Sequence, residues 1–300
     1  MRGLTPGGPR VVGLGGGHGL AATLAAARRY AGTIDAVVSV ADDGGSSGRL
    51  RRDLGIPAPG DVRRCLVALA GDPEGVWAQS FGTRFDRGDV AGHPLGNLVI
   101  AGLSITAGSF IAAVGQAADL LDACGRVLPA TLDPVVLTAV INGRVHEGQT
   151  AIEASARGGL TTIAFDPPDP EAPAEALEAI ANADQIIVGP GSLFTSVLAV
   201  AAVPGIAKAL DARRGRVVFV SNLKASKETV GYDVAAHVAA LARHGVVADT
   251  VLVDPAAIDL GAIPSEVRVV EAPLARDGGW AHDVERLAGA LARLAREVGE

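Results

Sequence analysis

The chain has 300 residues, of which 49% are hydrophobic but only 3% aromatic, so its core must be built from aliphatic side chains. Its formal net charge is -7, and this acidic balance excludes a nucleic-acid binder that holds the phosphate backbone with a basic stripe. The 39 glycines and 17 prolines follow no triplet period, which excludes collagen, and the apolar content excludes general disorder.

The first predicted element is an apolar strand over residues 10–14, which follows a Gly/Pro-rich stretch predicted to be a disordered tail over residues 1–9. A glycine cluster, an Ala/Leu-rich helix over 20–30 and a second strand over 34–40 come next. Strand, helix and strand form a βαβ unit of ordinary length, which predicts a parallel pair with a right-handed crossover.

The middle of the chain, about residues 60–125, has a mainly helical pattern and is predicted to be an insertion. A hairpin follows, with a strand over 135–141 and a type I′ turn at Asn142-Gly143. Strands and helices then alternate: strands over 160–165, 185–188, 216–220, 250–253 and 268–270, and helices over 173–183, 204–212, 233–244 and 282–298. We therefore predict an α/β protein with one Rossmann-like, doubly wound, mainly parallel sheet in a single domain over 10–300.

Two stretches, 90–118 and 185–207, carry no charged side chain for more than 20 residues. The first contains several polar residues and the second is broken by glycine and proline, so no membrane span is predicted. Cys65 and Cys124 are too few for a disulfide framework and fit a reducing compartment, so we expect a cytoplasmic protein.

A glycine cluster, Gly13-Leu14-Gly15-Gly16-Gly17-His18-Gly19, joins the first strand to the first helix. Backbone N–H groups in such a loop can approach a phosphate at the positive end of the helix. His18 stands where the dinucleotide pattern has its third glycine, and no Gly-Lys-Ser/Thr occurs, which excludes a P-loop. The candidate ligand residues here are Gly15, Gly16, Gly17 and His18; a tight turn without a ligand is the alternative.

Two aspartates follow the second strand. Asp42 lies where a nucleotide fold places the carboxylate that binds ribose hydroxyls, and Asp42 or Asp43 could instead hold Mg²⁺, while a solvated turn is the alternative. The next residues include Ser46 and Ser47 in a Gly-Gly-Ser-Ser-Gly run that predicts an anion nest. Gly44-x-Ser46-x-Gly48 also matches a nucleophile elbow formally, but the strand ends several residues earlier, which disfavours a serine hydrolase.

A second glycine loop, Gly189-Pro190-Gly191-Ser192, follows the strand over 185–188 and opens a helix. It adds Gly189, Gly191, Ser192 and Thr195 to the candidate ligand residues, although Ser192 alone would also serve as a helix N-cap. Two such loops on one sheet predict a ligand with more than one anionic group, such as a nucleoside diphosphate.

Three polar or aromatic residues lie after the strand over 216–220: Asn222 can bind a base edge, Lys224 can neutralise phosphate, and Tyr232 can stack on a base. In the middle of the chain, His93 is a candidate acid/base or phosphate donor, with a helix cap as the alternative, and Asn97 follows it. The six histidines show no metal-type pairing, which disfavours zinc.

Five motifs in order resemble the YvcK-like gluconeogenesis-factor family, which is related to 2-phospho-L-lactate transferase, the CofD-like enzyme of deazaflavin-cofactor biosynthesis. The matching stretches are GGGHGL from residue 15, ADDGGSSGRL from 41, PGDVR from 59, GHPLGN from 92 and GPGSLFTS from 189. The resemblance covers residues 10–297.

The resemblance implies a cytoplasmic protein that binds UDP-sugars, notably UDP-N-acetylglucosamine, and is linked to cell shape, wall-precursor balance and growth on gluconeogenic carbon. It implies Tyr232 as the tyrosine that binds the UDP-sugar, with Arg268 or Arg276 as its partner arginine. His18 is a departure, because many members have threonine there. Protein partners of such a regulator and a homodimer are further expectations.

A second hypothesis is a Mg²⁺-dependent 2-phospho-L-lactate transferase-like enzyme that uses a nucleoside-diphosphate-activated substrate. Asp42 or Asp43 would hold the metal, His93 would be a further catalytic candidate, and Arg63 and Arg64 would offset phosphate charge. A nicotinamide oxidoreductase is a third hypothesis, which the missing third glycine disfavours.

Overall fold

A computed structural model describes residues 4–157, 159–279 and 281–297. The strands in chain order are β1 (Arg10–Gly15), β2 (Thr33–Val38), β3 (Arg126–Pro129), β4 (Val136–Ile141), β5 (Arg144–Glu147), β6 (Ile163–Asp166), β7 (Gln185–Val188), β8 (Val217–Val220), β9 (Thr250–Val253) and β10 (Arg268–Glu271). The helices are α1 (Gly17–Ala27), α2 (Gly45–Leu54), α3 (Pro59–Leu69), α4 (Val76–Gly82), α5 (Leu95–Ala107), α6 (Phe110–Leu120), α7 (Gln149–Ser155), α8 (Ala174–Asn182), α9 (Ala199–Ala201), α10 (Pro204–Asp211), α11 (Val234–Arg243) and α12 (Val284–Glu297), and a π-helical segment, Leu193–Leu198, precedes α9.

Within the described residues, the main sheet has seven parallel strands in the order β10-β9-β8-β7-β1-β2-β3. The chain moves outward from β1 to β3 on one side and from β7 to β10 on the other. The order therefore reverses between β1 and β7, which is the switch point where open α/β sheets form their ligand crevice. The predicted doubly wound α/β fold is confirmed.

Both faces of this sheet are buried in apolar clusters. Successive side chains of a strand point to opposite faces, so neighbouring residues enter different clusters. Val12 and Leu14 of β1 pack into one apolar cluster with the π-helical segment, α8 and α11, whereas Val11 packs into another with α1, α3 and α12. Ile186 and Ile187 of β7 divide in the same way. Consecutive apolar residues in the strands are therefore required, as predicted for a parallel sheet.

A second, three-stranded sheet has the order β5-β4-β6 and is antiparallel. The predicted hairpin is confirmed: β4 and β5 flank Asn142 and Gly143, whose φ angles of 52° and 74° suit a type I′ turn. β6 was predicted to belong to the main parallel sheet, and this prediction is wrong. Its side chains alternate between buried and exposed, which is typical of a sheet with one face in water, and it pairs with β4.

Helices α2 to α6 connect β2 to β3, in the region where a mainly helical insertion was predicted. Two elements here escaped prediction. α2 begins inside the glycine/serine run, where weak helix formers indicated a loop, and β3 is a four-residue strand ending at Pro129. Both are fixed by neighbours distant in sequence, and β3 pairs with β2 along the edge of the main sheet.

Residues 4–9, predicted as part of a disordered tail, are instead bonded to the turn before β2. The Thr5 N–H donates to the Ala31 carbonyl at 2.8 Å, and the Pro9 carbonyl accepts from the Gly32 N–H at 2.9 Å. Paired backbone groups hold this segment beside the main sheet. The first three residues of the predicted tail lie outside the described residues.

In the described part of the chain, no single helix is both long and apolar enough to cross a membrane. The bent pair Leu193–Ala201 and Pro204–Asp211, at 77° to each other, meets the criterion by length and composition only. The first of these segments is buried throughout in the fold.

Candidate functional site

The loops that follow β1, β2 and β7 meet at the switch point and enclose a cavity of about 500 Å³, here called the cleft. Each loop leaves the carboxyl end of a parallel strand, so all three reach the same edge of the sheet. The glycine loops recognised in the sequence therefore converge on one site.

The first loop brings Gly16, Gly17 and His18 to the cleft wall, whereas Gly15 lies below it at the end of β1. α1 begins at Gly17, and the first N–H groups of a helix have no partner within the helix. Burial, followed by the nearby Arg64 guanidinium, lowers the pKa of His18, so its imidazole is neutral at pH 7. The loop thus offers neutral hydrogen-bonding groups to the cleft.

Asp61 and Arg64, from the first turns of α3, form the floor beside this loop. The Asp61 carboxylate is paired with Arg64 and accepts a hydrogen bond from the Gly17 N–H. Burial raises the pKa of Asp61, and Arg64 opposes that rise. No ligand role was predicted for Asp61, although its place at the start of a predicted helix after Pro59-Gly60 was a usable signal.

The adjacent aspartates turn in different directions. Asp42 lines the cleft, and its Oδ1 accepts from the Gly44 N–H at 2.8 Å. Asp43 Oδ1 instead accepts from the N–H and the hydroxyl of Thr150, at 3.0 and 2.9 Å, and so fixes the first turn of α7. The two carboxylates do not form a pair, and nowhere in the described ranges do three or more His, Cys, Asp or Glu side chains gather as metal ligands.

Ser46 and Ser47 lie in the first turn of α2 and line the cleft. Ser46 Oγ lies 2.8 Å from His93 Nδ1 and accepts from Asn97 Nδ2 at 3.0 Å. Asn97 Oδ1 accepts in turn from Arg63 Nε at 3.0 Å. His93 and Asn97 are therefore behind the cleft wall and reach it through Ser46.

The second glycine loop contributes Gly191 and Ser192 to the cleft. The Asn222 amide clamps this loop: its Oδ1 accepts from the Gly191 N–H at 2.9 Å and its Nδ2 donates to the Gly191 carbonyl at 2.8 Å. The Gly189 carbonyl accepts from the Thr23 hydroxyl of α1 at 3.0 Å. Asn222, selected as a base-binding residue, thus uses its amide to position the loop.

Thr195 is buried beneath the second loop and does not line the cleft. Its hydroxyl is hydrogen-bonded to Glu228, whose second carboxylate oxygen accepts from the Phe194 N–H at 3.0 Å. The structure places Thr195 in the support of the loop.

A smaller cavity of about 270 Å³ adjoins the cleft. His18, Gly19, Gly191 and Ser192 line both spaces, so the two glycine loops form a shared rim. Lys224 lines the far side of the smaller cavity. The site is therefore two compartments joined at the glycine loops.

Tyr232 lines neither compartment. Its hydroxyl donates to the Leu160 carbonyl at 3.2 Å, and its ring packs edge-on against Phe194 with centroids 6.3 Å apart. The structure does not place the Tyr232 ring in the cleft, and base stacking by Tyr232 stays a prediction.

The two candidate arginines lie at opposite ends of β10. Arg268 begins the strand, at the edge of the sheet away from the cleft, and is paired with Glu297 at 2.6 Å. Arg276 follows the strand and lines a groove of about 1280 Å³ that also contains Arg64 and Arg84. Arg84 and Gln149 reach the cleft from the helical insertion and α7, and no motif in the sequence singled them out.

A doubly wound parallel sheet with two glycine loops at its switch point defines a Rossmann-like protein with a ligand cleft at the carboxyl ends of its strands. A family model described as 2-phospho-L-lactate transferase CofD matches residues 11–293. The chain belongs to this family.

Named relatives indicate which branch of the CofD family the chain resembles. A Mycobacterium tuberculosis protein named "Putative gluconeogenesis factor" is 42% identical, over 96% of this chain and 91% of that protein. A "Gluconeogenesis factor" from Halalkalibacterium halodurans is 40% identical, over 80% of this chain and 76% of that protein. A crystal structure of a UPF0052-family member from Bacillus halodurans has a TM-score of 0.87 and 34% identity, covering 96% of this chain and 99% of that one. The resemblance to the gluconeogenesis-factor family is confirmed.

Proposed function

We propose that this protein binds a UDP-sugar, with UDP-N-acetylglucosamine as the leading candidate, and acts in the cytoplasm as a gluconeogenesis factor that links cell shape and wall precursors to central carbon. The names of the relatives support the role of a factor. The choice of a UDP-sugar as ligand is supported by the two compartments that meet at the glycine loops.

The shared rim suits a diphosphate. The N–H groups of Gly17 and Gly191 are bonded to Asp61 and Asn222, so those of His18, in the first turn of α1, and of Ser192 are the ones placed to contact its oxygens. The Arg64 guanidinium lines the same cleft. The nucleoside and the sugar would then occupy one compartment each. The cleft alone, at about 500 Å³, falls within the range of about 300–1,000 Å³ common for small-molecule sites.

Titration calorimetry with UDP-N-acetylglucosamine tests the proposal. We expect saturable binding that Arg64→Ala weakens by about tenfold or more, because a charge-assisted hydrogen bond contributes about 1.5–3 kcal/mol and the variant also leaves Asp61 as an unpaired charge. Arg214→Ala is the matched control, because the exposed Arg214 is likewise paired with an aspartate three residues earlier, Asp211, and lines neither compartment; it should bind as the wild type does. Absence of binding at millimolar ligand would contradict the proposal.

A second candidate function, 2-phospho-L-lactate transferase, is favoured by the family match. Mg²⁺ commonly uses one or two carboxylates together with substrate phosphates, and Asp42 is the carboxylate of the predicted pair that lines the cleft. When bound there, the ion would neutralise charge on the transferred phosphate. Incubation with the deazaflavin precursor and the nucleoside-diphosphate-activated phospholactate, followed by mass spectrometry, should show product that Asp42→Asn abolishes if this function holds; UDP-sugar binding without product supports the regulator.

A further inference from the structure

A hydrogen-bonded chain of four side chains, Arg63, Asn97, Ser46 and His93, lies behind the cleft wall and reaches the cleft at Ser46. Three contacts join them: Arg63 Nε to Asn97 Oδ1 at 3.0 Å, Asn97 Nδ2 to Ser46 Oγ at 3.0 Å, and Ser46 Oγ to His93 Nδ1 at 2.8 Å. All four residues are buried, and Ser46 is the one that lines the cleft as well.

The donor and acceptor roles along this chain follow from Arg63. An arginine Nε–H can only donate, so the Asn97 oxygen faces Arg63 and the Asn97 NH₂ group must donate to Ser46 Oγ. Ser46 has a single proton, and His93 Nδ1, 2.8 Å away, can accept it in the tautomer that carries the imidazole proton on Nε2. In that tautomer the hydroxyl proton is directed at the imidazole, while Asn97 occupies a lone pair of Ser46 Oγ.

His93 is suited to accept that proton. Burial, together with Arg49, lowers the pKa of His93 below its usual value, so the imidazole is neutral at pH 7. Of the other charged groups that act on His93, Arg84 lowers the pKa further and Asp53 raises it. A neutral imidazole hydrogen-bonded to a serine hydroxyl is the arrangement that activates serine as a nucleophile.

We propose that Ser46 is a nucleophile that attacks the phosphorus of a phosphate ester bound in the cleft, with His93 as general base. Asn97 and Arg63 are positioning residues, because they act through Ser46 and do not line the cleft themselves. The first-turn N–H groups of α2 lie beside Ser46 and can stabilise the negative charge that develops on the phosphate oxygens.

With a nucleoside diphosphate ester in the cleft, the serine would attack the β-phosphorus. Ser46 Oγ forms a bond to the β-phosphorus while the bond from that phosphorus to the bridging oxygen breaks. The nucleoside monophosphate leaves with the electron pair, and His93 Nδ1 takes the serine proton and returns it to the departing oxygen. Water then hydrolyses the serine phosphodiester and restores the hydroxyl.

The choice of electrophile rests on the proposed function, but the activated hydroxyl does not. An alkyl fluorophosphonate separates the two, because it reacts with activated serines regardless of any nucleotide. Ser46 Oγ would bond to its phosphorus, fluoride would leave with the electron pair, and the serine proton would pass through His93 to solvent.

The experiment treats the full-length protein with a fluorophosphonate and follows intact mass. We expect the addition of one phosphonyl group, mapped to Ser46 by peptide sequencing, and none in Ser46→Ala. Ser265→Ala, which removes an exposed serine, should react as the wild type does. Circular dichroism should show that each variant is folded.

His93 is tested by the rate and its pH profile. His93→Gln should slow labelling by about 10²–10⁴-fold, the usual contribution of a general base, while His146→Gln, a histidine on β5, should leave the rate unchanged. The wild-type rate should rise with pH through a midpoint below about 6.5, and this rise should vanish in His93→Gln. Asn97→Ala should lower the rate but keep the midpoint, as a positioning residue would.

Three outcomes would overturn the proposal: a folded wild type that is not labelled, a label on another residue, or a His93→Gln variant that is labelled as fast as the wild type. Failure of UDP-N-acetylglucosamine to bind in calorimetry would contradict the proposed function and leave the labelling result standing.

Discussion

Glu228 shows how a single buried side chain supports the site. Its carboxylate accepts from the Phe194 N–H and is hydrogen-bonded to Thr195, so it holds the start of the helical segment behind the second glycine loop. Burial raises the pKa of Glu228 above its usual value, and the two hydrogen bonds only partly oppose this. The folded protein therefore binds the Glu228 proton more tightly than the unfolded chain does.

This pKa shift predicts a pH dependence of stability. Unfolded glutamate has a pKa of about 4.3, so the contribution of Glu228 to the free energy of unfolding is fully present below that pH and is lost as pH rises through its higher folded pKa. Glu228→Gln mimics the protonated acid and does not titrate at this position. As pH rises, the wild type should lose stability that the variant keeps, so the difference in free energy of unfolding, variant minus wild type, should increase in urea titrations. The exposed Glu266→Gln is the control; a difference that does not change with pH would refute the assignment.

At the scale of elements, the cleft depends on the close approach of the two loop-helix units. A Cβ added to Gly19 in the first turn of α1 would lie 2.1 Å from the Pro190 carbonyl oxygen of the second loop, and backbone cannot yield as a flexible side chain can. The glycine is thus required by the neighbouring loop, in addition to any phosphate.

Gly19→Ala should therefore separate the loops. We expect a loss of about 1–3 kcal/mol in the free energy of unfolding, as for overpacked sites, together with weaker UDP-N-acetylglucosamine binding. Gly102→Ala is the matched control, because nothing lies within 4 Å of its added Cβ, and it should stabilise α5 by up to about 1 kcal/mol. Equal thermal midpoints for the two variants would contradict the contact.

At the scale of the whole molecule, the two sheets share one core. Leu137 of β4 and Phe165 of β6 belong to the same apolar cluster as Val12 and Ile186 of the main sheet. The antiparallel sheet is therefore part of the fold's interior, and it carries α7, whose Gln149 lines the cleft. The high structural similarity over 96% of the chain shows that this architecture extends to the Bacillus halodurans protein.

The sequence by itself determined the parallel sheet, both glycine loops and their place at the ends of strands. These features are local: apolar runs such as 186–188 predict buried strands, and a glycine run between a strand and a helix predicts a backbone cradle. The motif order was enough to identify the family.

Only the tertiary structure decided which polar side chains reach the cleft. Asp42 and Asp43 are indistinguishable by type and neighbourhood, yet Thr150, more than a hundred residues later, draws Asp43 to α7. Arg84 comes to the cleft and Tyr232 packs against Phe194 through contacts between distant segments. Such contacts depend on how whole elements pack, because side-chain direction is set by neighbours in space that no local pattern records.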